Sequence, residues 1–131
     1  MSYVSIVVLS HSFDIVAGVR DLLKQVQPDV PLAIAGGLKN GELGTDVFAI
    51  KSAIESVYSP LGVVILFDLG SARLNAEMAI EMLEENQNIR LVDAPLVEGS
   101  YAAIIEAGCG ADLEDVIAAA MTMKSWNKLS D

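Results

Sequence analysis

His11 is the only histidine among the 131 residues, and its neighbours are what give it chemistry. It follows the apolar run Tyr3-Val4-Ser5-Ile6-Val7-Val8-Leu9 and Ser10, and Ser12 comes next. From Phe13 to Val26 the apolar residues recur with helical rhythm. A β-rich run leading straight into an amphipathic helix puts His11 at a strand's carboxyl end and a helix's amino end, where open α/β sheets hold their ligands. Helix amino ends present unpaired N–H groups and a positive dipole to anions, phosphate above all. A neutral imidazole at such a place is a candidate phosphoryl acceptor. A lone histidine is otherwise commonly a satisfied structural residue, and it is the strand-to-helix setting that moves the reading to chemistry.

The elements that must position His11 alternate cleanly along the chain. Tyr3–Leu9 reads as a fully buried first strand. Helix A follows with Ile15, Val16, Val19, Leu22, Leu23 and Val26 on one face, opposite Asp14, Arg20, Asp21 and Lys24. Leu32-Ala33-Ile34-Ala35 is a second strand ending at Gly36-Gly37, and a polar loop over 38–44 leads to Thr45-Asp46, the cap of helix B. Val47, Ile50, Ile54 and Val57 line helix B, which Ser59-Pro60 stops. The third strand, Gly62 to Phe67, runs directly into Asp68-Leu69-Gly70-Ser71. Helix C carries Leu74, Met78, Met82 and Leu83 at helical spacing to about Glu85, and its methionines read as core fillers. Ile89–Val92 is a fourth strand and Pro95–Gly99 a loop. Ser100–Ala107 and Leu113–Met123 are two further helices separated by Gly108-Cys109-Gly110. This order predicts one α/β domain over 1–131, a doubly wound, mostly parallel sheet in the order 2-1-3-4 with helices on both faces.

Parallel strands share a carboxyl edge, so the loops after all four strands converge there. In the order 2-1-3-4, strands one and three are neighbours, and His11 and Asp68 stand side by side at the switch point. A carboxylate beside an imidazole accepts one ring N–H and leaves the other nitrogen's lone pair free to attack phosphorus. Asp68 either does this or caps helix C, and one carboxylate can serve both roles. Ser12, Thr45, Gly70 and Ser71 bring small hydroxyls and accessible N–H groups to helix starts, suited to phosphate oxygens.

Composition narrows the alternatives. The net charge of −10, from 18 acidic and 8 basic residues, opposes nucleic-acid binding and favours a basic protein partner. No apolar stretch nears the ~18–20 residues of a membrane span, and the start lacks the pattern of a signal peptide. The single cysteine, Cys109, fits a reducing cytoplasm and reads as a small buried residue at a helix end. One His and one Cys fall short of a zinc site, and neither a P-loop nor a dinucleotide fingerprint is present, so no metal or cofactor is expected. A receiver domain would need an acidic pair after strand one, and a histidine phosphatase would need an arginine before its histidine and a second histidine. Neither Ser10 nor Ser12 sits in a nucleophile elbow.

Val8-Leu9-Ser10-His11-Ser12, Gly36-Gly37, Leu43-Gly44-Thr45-Asp46, Phe67-Asp68-Leu69-Gly70-Ser71 and Ala94-Pro95-Leu96-Val97-Glu98-Gly99 together resemble the mannose-type IIA family of the sugar phosphotransferase system. The likeness spans nearly the whole chain in order. Leu69-Gly70-Ser71 after the strand-three aspartate resembles the branch serving phosphoenolpyruvate-dependent dihydroxyacetone kinases, with a sugar-permease component as the alternative. The resemblance implies that His11 is phosphorylated by the phosphocarrier protein HPr. It implies that the phosphoryl group passes to ADP on the nucleotide-binding kinase subunit (DhaL), and that the chain forms a homodimer. Relatives can carry further domains, and at 131 residues only the IIA part is expected here. From another class, a non-catalytic acidic interaction module remains the rival.

Overall fold

A computed structural model describes residues 2–129. Among them four strands and five helices follow in the order β1 (Ser5–Ser10), α1 (Phe13–Val26), β2 (Leu32–Gly36), α2 (Val47–Ser56), β3 (Val63–Phe67), α3 (Ala72–Glu81), β4 (Ile89–Val92), α4 (Leu96–Gly108) and α5 (Leu113–Thr122). The strands make one all-parallel sheet ordered β2-β1-β3-β4. β3 and the middle of β1, Ile6 to Leu9, are apolar without interruption because helices cover both faces of the sheet. Successive side chains point to opposite faces. Ile6, Val8, Val64 and Leu66 pack with α1, α4 and α5, while Val7, Leu9, Val63 and Ile65 pack with α2 and α3.

The same alternation places the chemistry. β1 and β3 pair Leu9 with Phe67 at their carboxyl ends, so the next residues along, Ser10 and Asp68, emerge together on one side. α1 then starts at once, its N-cap Ser12 accepting a hydrogen bond from the Ile15 N–H at 3.4 Å. β2 closes against this turn only because residue 36 is glycine. A Cβ there would lie 2.8 Å from Val16 Cγ2 and 2.9 Å from the Ser12 carbonyl oxygen.

Some of the expected packing is corrected. Helix C turns Leu74, Met78 and Met82 outward, 72%, 52% and 44% exposed, and buries Ala72, Ala76 and Ala79 instead. Both sets have helical period, but α3 lies close against the sheet and α2, and only methyl side chains fit that gap. The helix also ends at Glu81, short of Glu85. On α1 the buried line is Val16, Val19 and Leu23, with Ile15, Leu22 and Val26 left exposed. The segment Pro95–Gly99 is the first turn of α4 rather than a loop. Pro95 serves as its N-cap, and the Gly99 N–H donates to the Pro95 carbonyl at 2.7 Å. Cys109 does end α4, but it is exposed rather than buried. No helix among the described residues is long and apolar enough to cross a membrane.

Candidate active site

At the carboxyl edge of the sheet, Asp68 collects four donors on its two oxygens. Oδ1 accepts from the Leu69 N–H at 2.7 Å and faces His11 Nδ1 at 3.1 Å. Oδ2 accepts from the Ser10 hydroxyl at 2.7 Å and from the His11 backbone N–H at 3.2 Å. Burial alone would disfavour the charged form of this carboxyl. The hydrogen bonds from Ser10, from the Leu69 and His11 N–H groups, and from the His11 ring outweigh it and hold Asp68 below the ordinary aspartate range. It is therefore an ionised, acceptor-only group at neutral pH.

That fixes the histidine. Only Nδ1–H can face an ionised carboxylate, so in the neutral ring the proton sits on Nδ1 and the lone pair on Nε2. Ser71 Oγ lies 2.8 Å from Nε2 and donates to that lone pair when the ring is neutral. The His11 side chain is 23% exposed against 16% for Asp68, so the imidazole reaches solvent while its anchor is more enclosed. Ser71 opens α3 with its backbone already helical, so its side chain makes no capping bond and its hydroxyl meets His11 instead. Asp68 is not the cap of that helix either, and its carboxylate instead faces the His11 ring at 3.1 Å.

The other expected residues stand around this core. Ser12 is joined to it through its N–H, which donates to Ser10 Oγ at 3.0 Å. The loop before α2 is tied to the site by the Gly44 N–H, which donates to the His11 carbonyl at 2.8 Å. Thr45, next in sequence, has its hydroxyl oxygen held by the Asn75 side-chain amide at 2.7 Å. Gly70 lies in the β3–α3 turn, exposed, with open space where a Cβ would project. A depression of about 430 Å³ beside it is lined by Phe67, Gly70, Arg73, Glu77, Leu91 and Asp93. On the other flank, Ser12, Phe13, Gly36, Lys39 and Leu43 line a second depression of about 330 Å³. Sequence reasoning missed Ser10 and Asn75. Ser10 could have been found from strand alternation, which puts it on the same side as Asp68. Asn75 lies one turn beyond Ser71 on α3.

The arrangement can hold a neutral imidazole with one nucleophilic lone pair, covered at rest only by the Ser71 hydroxyl, stabilise the cation formed when that lone pair is used, and offer hydroxyl and N–H donors around the incoming group. Among the described residues, no cluster of three or more His, Cys, Asp or Glu side chains could hold a metal ion.

Comparison with known proteins places the chain in a family. The family model for the PTS system fructose IIA component (EIIA-man) matches residues 5–117. The chain is 41% identical over 124 residues to the PEP-dependent dihydroxyacetone kinase phosphoryl donor subunit DhaM of Escherichia coli K12, across 90% of this chain and 26% of that one. It therefore spans about a quarter of that relative's length. It is 38% identical to the PTS-dependent dihydroxyacetone kinase phosphotransferase subunit DhaM of Lactococcus lactis, across 82% of this chain and 86% of that one. A crystal structure of a protein of unknown function, EF1359, superposes with a TM-score of 0.84 at 38% identity, covering 97% of this chain and 100% of that chain.

Proposed function

The chain belongs to the mannose-type IIA family of the phosphotransferase system, and from that premise we propose that it is a phosphohistidine carrier for a dihydroxyacetone kinase. The observation that carries the reading is the His11 ring held between Asp68 at Nδ1 and Ser71 at Nε2. In the first step the Nε2 lone pair attacks the phosphorus of a phosphohistidine on HPr. The bond from Nε2 to phosphorus forms as the donor's bond from nitrogen to phosphorus breaks, and the donor ring keeps the electron pair. With a proton on Nδ1 and a phosphoryl group on Nε2, the His11 ring is a cation, and Asp68 stabilises it across 3.1 Å. The Ser71 hydroxyl, released from the lone pair, turns to a phosphoryl oxygen. Ser12, Thr45 and Gly70 supply further donors at the surrounding helix starts.

In the second step an oxygen of the β-phosphate of ADP attacks phosphorus, and the electron pair of the broken bond returns to Nε2. The nucleotide-binding subunit, DhaL, holds that ADP. Little covalent chemistry is asked of the protein in either step, so a sparse, well-oriented site is enough. Both partners approach over the carboxyl edge in the cytoplasm, where the exposed Phe13, Leu43 and Leu69 offer apolar contact area. The carrier works as a homodimer.

Incubating the chain with phosphoenolpyruvate, enzyme I and HPr should place an acid-labile phosphate on His11 that is lost on adding the ADP-loaded kinase subunit. Label on a His11→Gln variant would refute the carrier role. Label that is discharged only by a sugar permease would assign the chain to that branch instead.

A further inference from the structure

Ser10 takes part in none of the bond changes above, yet it is fully buried and both ends of its hydroxyl are used. Its Oγ accepts the Ser12 N–H at 3.0 Å and donates to Asp68 Oδ2 at 2.7 Å. The first contact decides the direction of the second. With the Ser12 N–H on one lone pair, the hydroxyl hydrogen turns toward Asp68, and no water reaches the buried group to compete. The backbone beneath it is fixed by the pairing of Ser10 with Gly36.

Resting on the carrier reading, we propose that Ser10 is a positioning residue for phosphoryl transfer, its hydroxyl locking the Asp68 carboxylate so that Oδ1 faces Nδ1 of His11. A carboxylate can rotate about its last bond. Of the two donors on Oδ2, the Ser10 contact is the shorter, 2.7 Å against 3.2 Å for the His11 N–H. Without it the carboxylate loses its stronger hold on the side away from the ring. The imidazole is then free to populate the tautomer with the proton on Nε2, which cannot attack phosphorus. Ser10 also links the start of α1 to the carboxylate through Ser12, so one hydroxyl aligns the helix that receives the phosphoryl group with the group that orients its acceptor.

The single histidine makes the test direct, since its ring nitrogens give unambiguous 15N resonances. Wild-type protein should show the Nδ1–H tautomer. Ser10→Ala should raise the Nε2–H population and lower kcat for transfer from phosphorylated HPr by roughly ten-fold, with KM little changed. Ser10→Thr, which keeps the hydroxyl, should restore both. Ser10→Cys, similar in size but a weak donor, should fall between them and serves if the alanine variant does not fold. A Ser10→Ala protein with reduced thermal stability but wild-type tautomer and kcat would overturn the positioning role and leave the carrier reading standing. Wild-type protein that takes up no label at all would overturn both.

Discussion

Ser71 Oγ lies 2.8 Å from His11 Nε2, on the one ring nitrogen that Asp68 leaves free. The contact covers the nucleophilic lone pair in the resting protein, and it is made from the residue that opens α3, whose backbone is already helical. With its φ and ψ in the helical region, Ser71 is not placed to cap α3 with its side chain, and its hydroxyl is given to the ring instead.

For Ser71→Ala the expected outcome follows from this division of labour. Since the side chain makes no capping bond, the melting temperature should stay close to wild type. Transfer should slow by about ten-fold, because the phosphoryl group loses one hydroxyl donor while the lone pair becomes easier to reach. Rapid-quench labelling alongside a thermal melt checks both. A large loss of stability with unchanged transfer would make Ser71 a structural residue.

Asp68→Asn should cost far more. An amide can present its NH₂ to Nδ1 and so favour the wrong tautomer, and orienting carboxylates of this kind are worth up to ~10⁴ in rate. Its acidity makes a second, independent prediction. The Asp68 carboxyl titrates below its ordinary value in the folded protein, so its contribution to stability is complete above about pH 4 and is lost as pH falls through the lower folded value. Urea unfolding between roughly pH 5 and pH 2 should therefore show a steeper acid loss for wild type than for Asp68→Asn. Parallel curves would mean that Asp68 gains nothing from its four donors.

Much of this was legible in the sequence, for definite reasons. Two buried strands that each end in a polar chemical residue, His11 after β1 and Asp68 after β3, become neighbours as soon as the order 2-1-3-4 is inferred. The first helix runs from Phe13 to Val26 as its rhythm indicates. The inward face of α3 was not legible, because Leu74, Met78 and Met82 share a helical period with Ala72, Ala76 and Ala79. Period does not say which side meets the sheet. The start of α4 was hidden by Pro95 and Gly99, both usually breakers. Proline is tolerated where a helix begins, and Gly99 is required because a Cβ would come within 2.9 Å of Ala94 Cβ. Ser10 read as the first residue of the loop after strand one, whereas it ends β1 and meets Asp68 across it.

The outward methionines give a stability prediction opposite in sign to one based on hydrophobicity. Met78→Gln should change unfolding free energy by no more than about 0.5 kcal/mol, since the side chain is already half in water. Ala76→Leu, smaller to larger on the buried face, should cost about 1–3 kcal/mol through overpacking against α2 and the sheet. Urea denaturation at fixed m-value measures both. The reverse ranking would place the methionine stripe in the core after all.

The last expectation concerns docking. Leu69 and Phe13 are both exposed beside the site, and the loop bearing Lys39, Glu42 and Leu43 borders the depression next to Ser12. The proposed carrier must release two partners and needs modest contacts, so binding should depend on a few apolar groups and on long-range charge. With a net charge of −10, the chain attracts basic surfaces, and an exposed rim charge acts mainly on encounter rate. Glu42 is exposed, with its carboxylate touching only the Asn40 side-chain amide at 2.9 Å, so Glu42→Lys changes charge without dismantling the fold. Glu98 is less suitable, because Lys128 already holds it in an ion pair of 2.6 Å. Glu42→Lys should slow association with HPr several-fold at low salt and converge on wild type as salt rises, while Leu69→Ala should weaken binding at every salt concentration. Stopped-flow transfer measured across ionic strength separates the two. If both variants matched wild type throughout, partners would have to reach His11 from some other side.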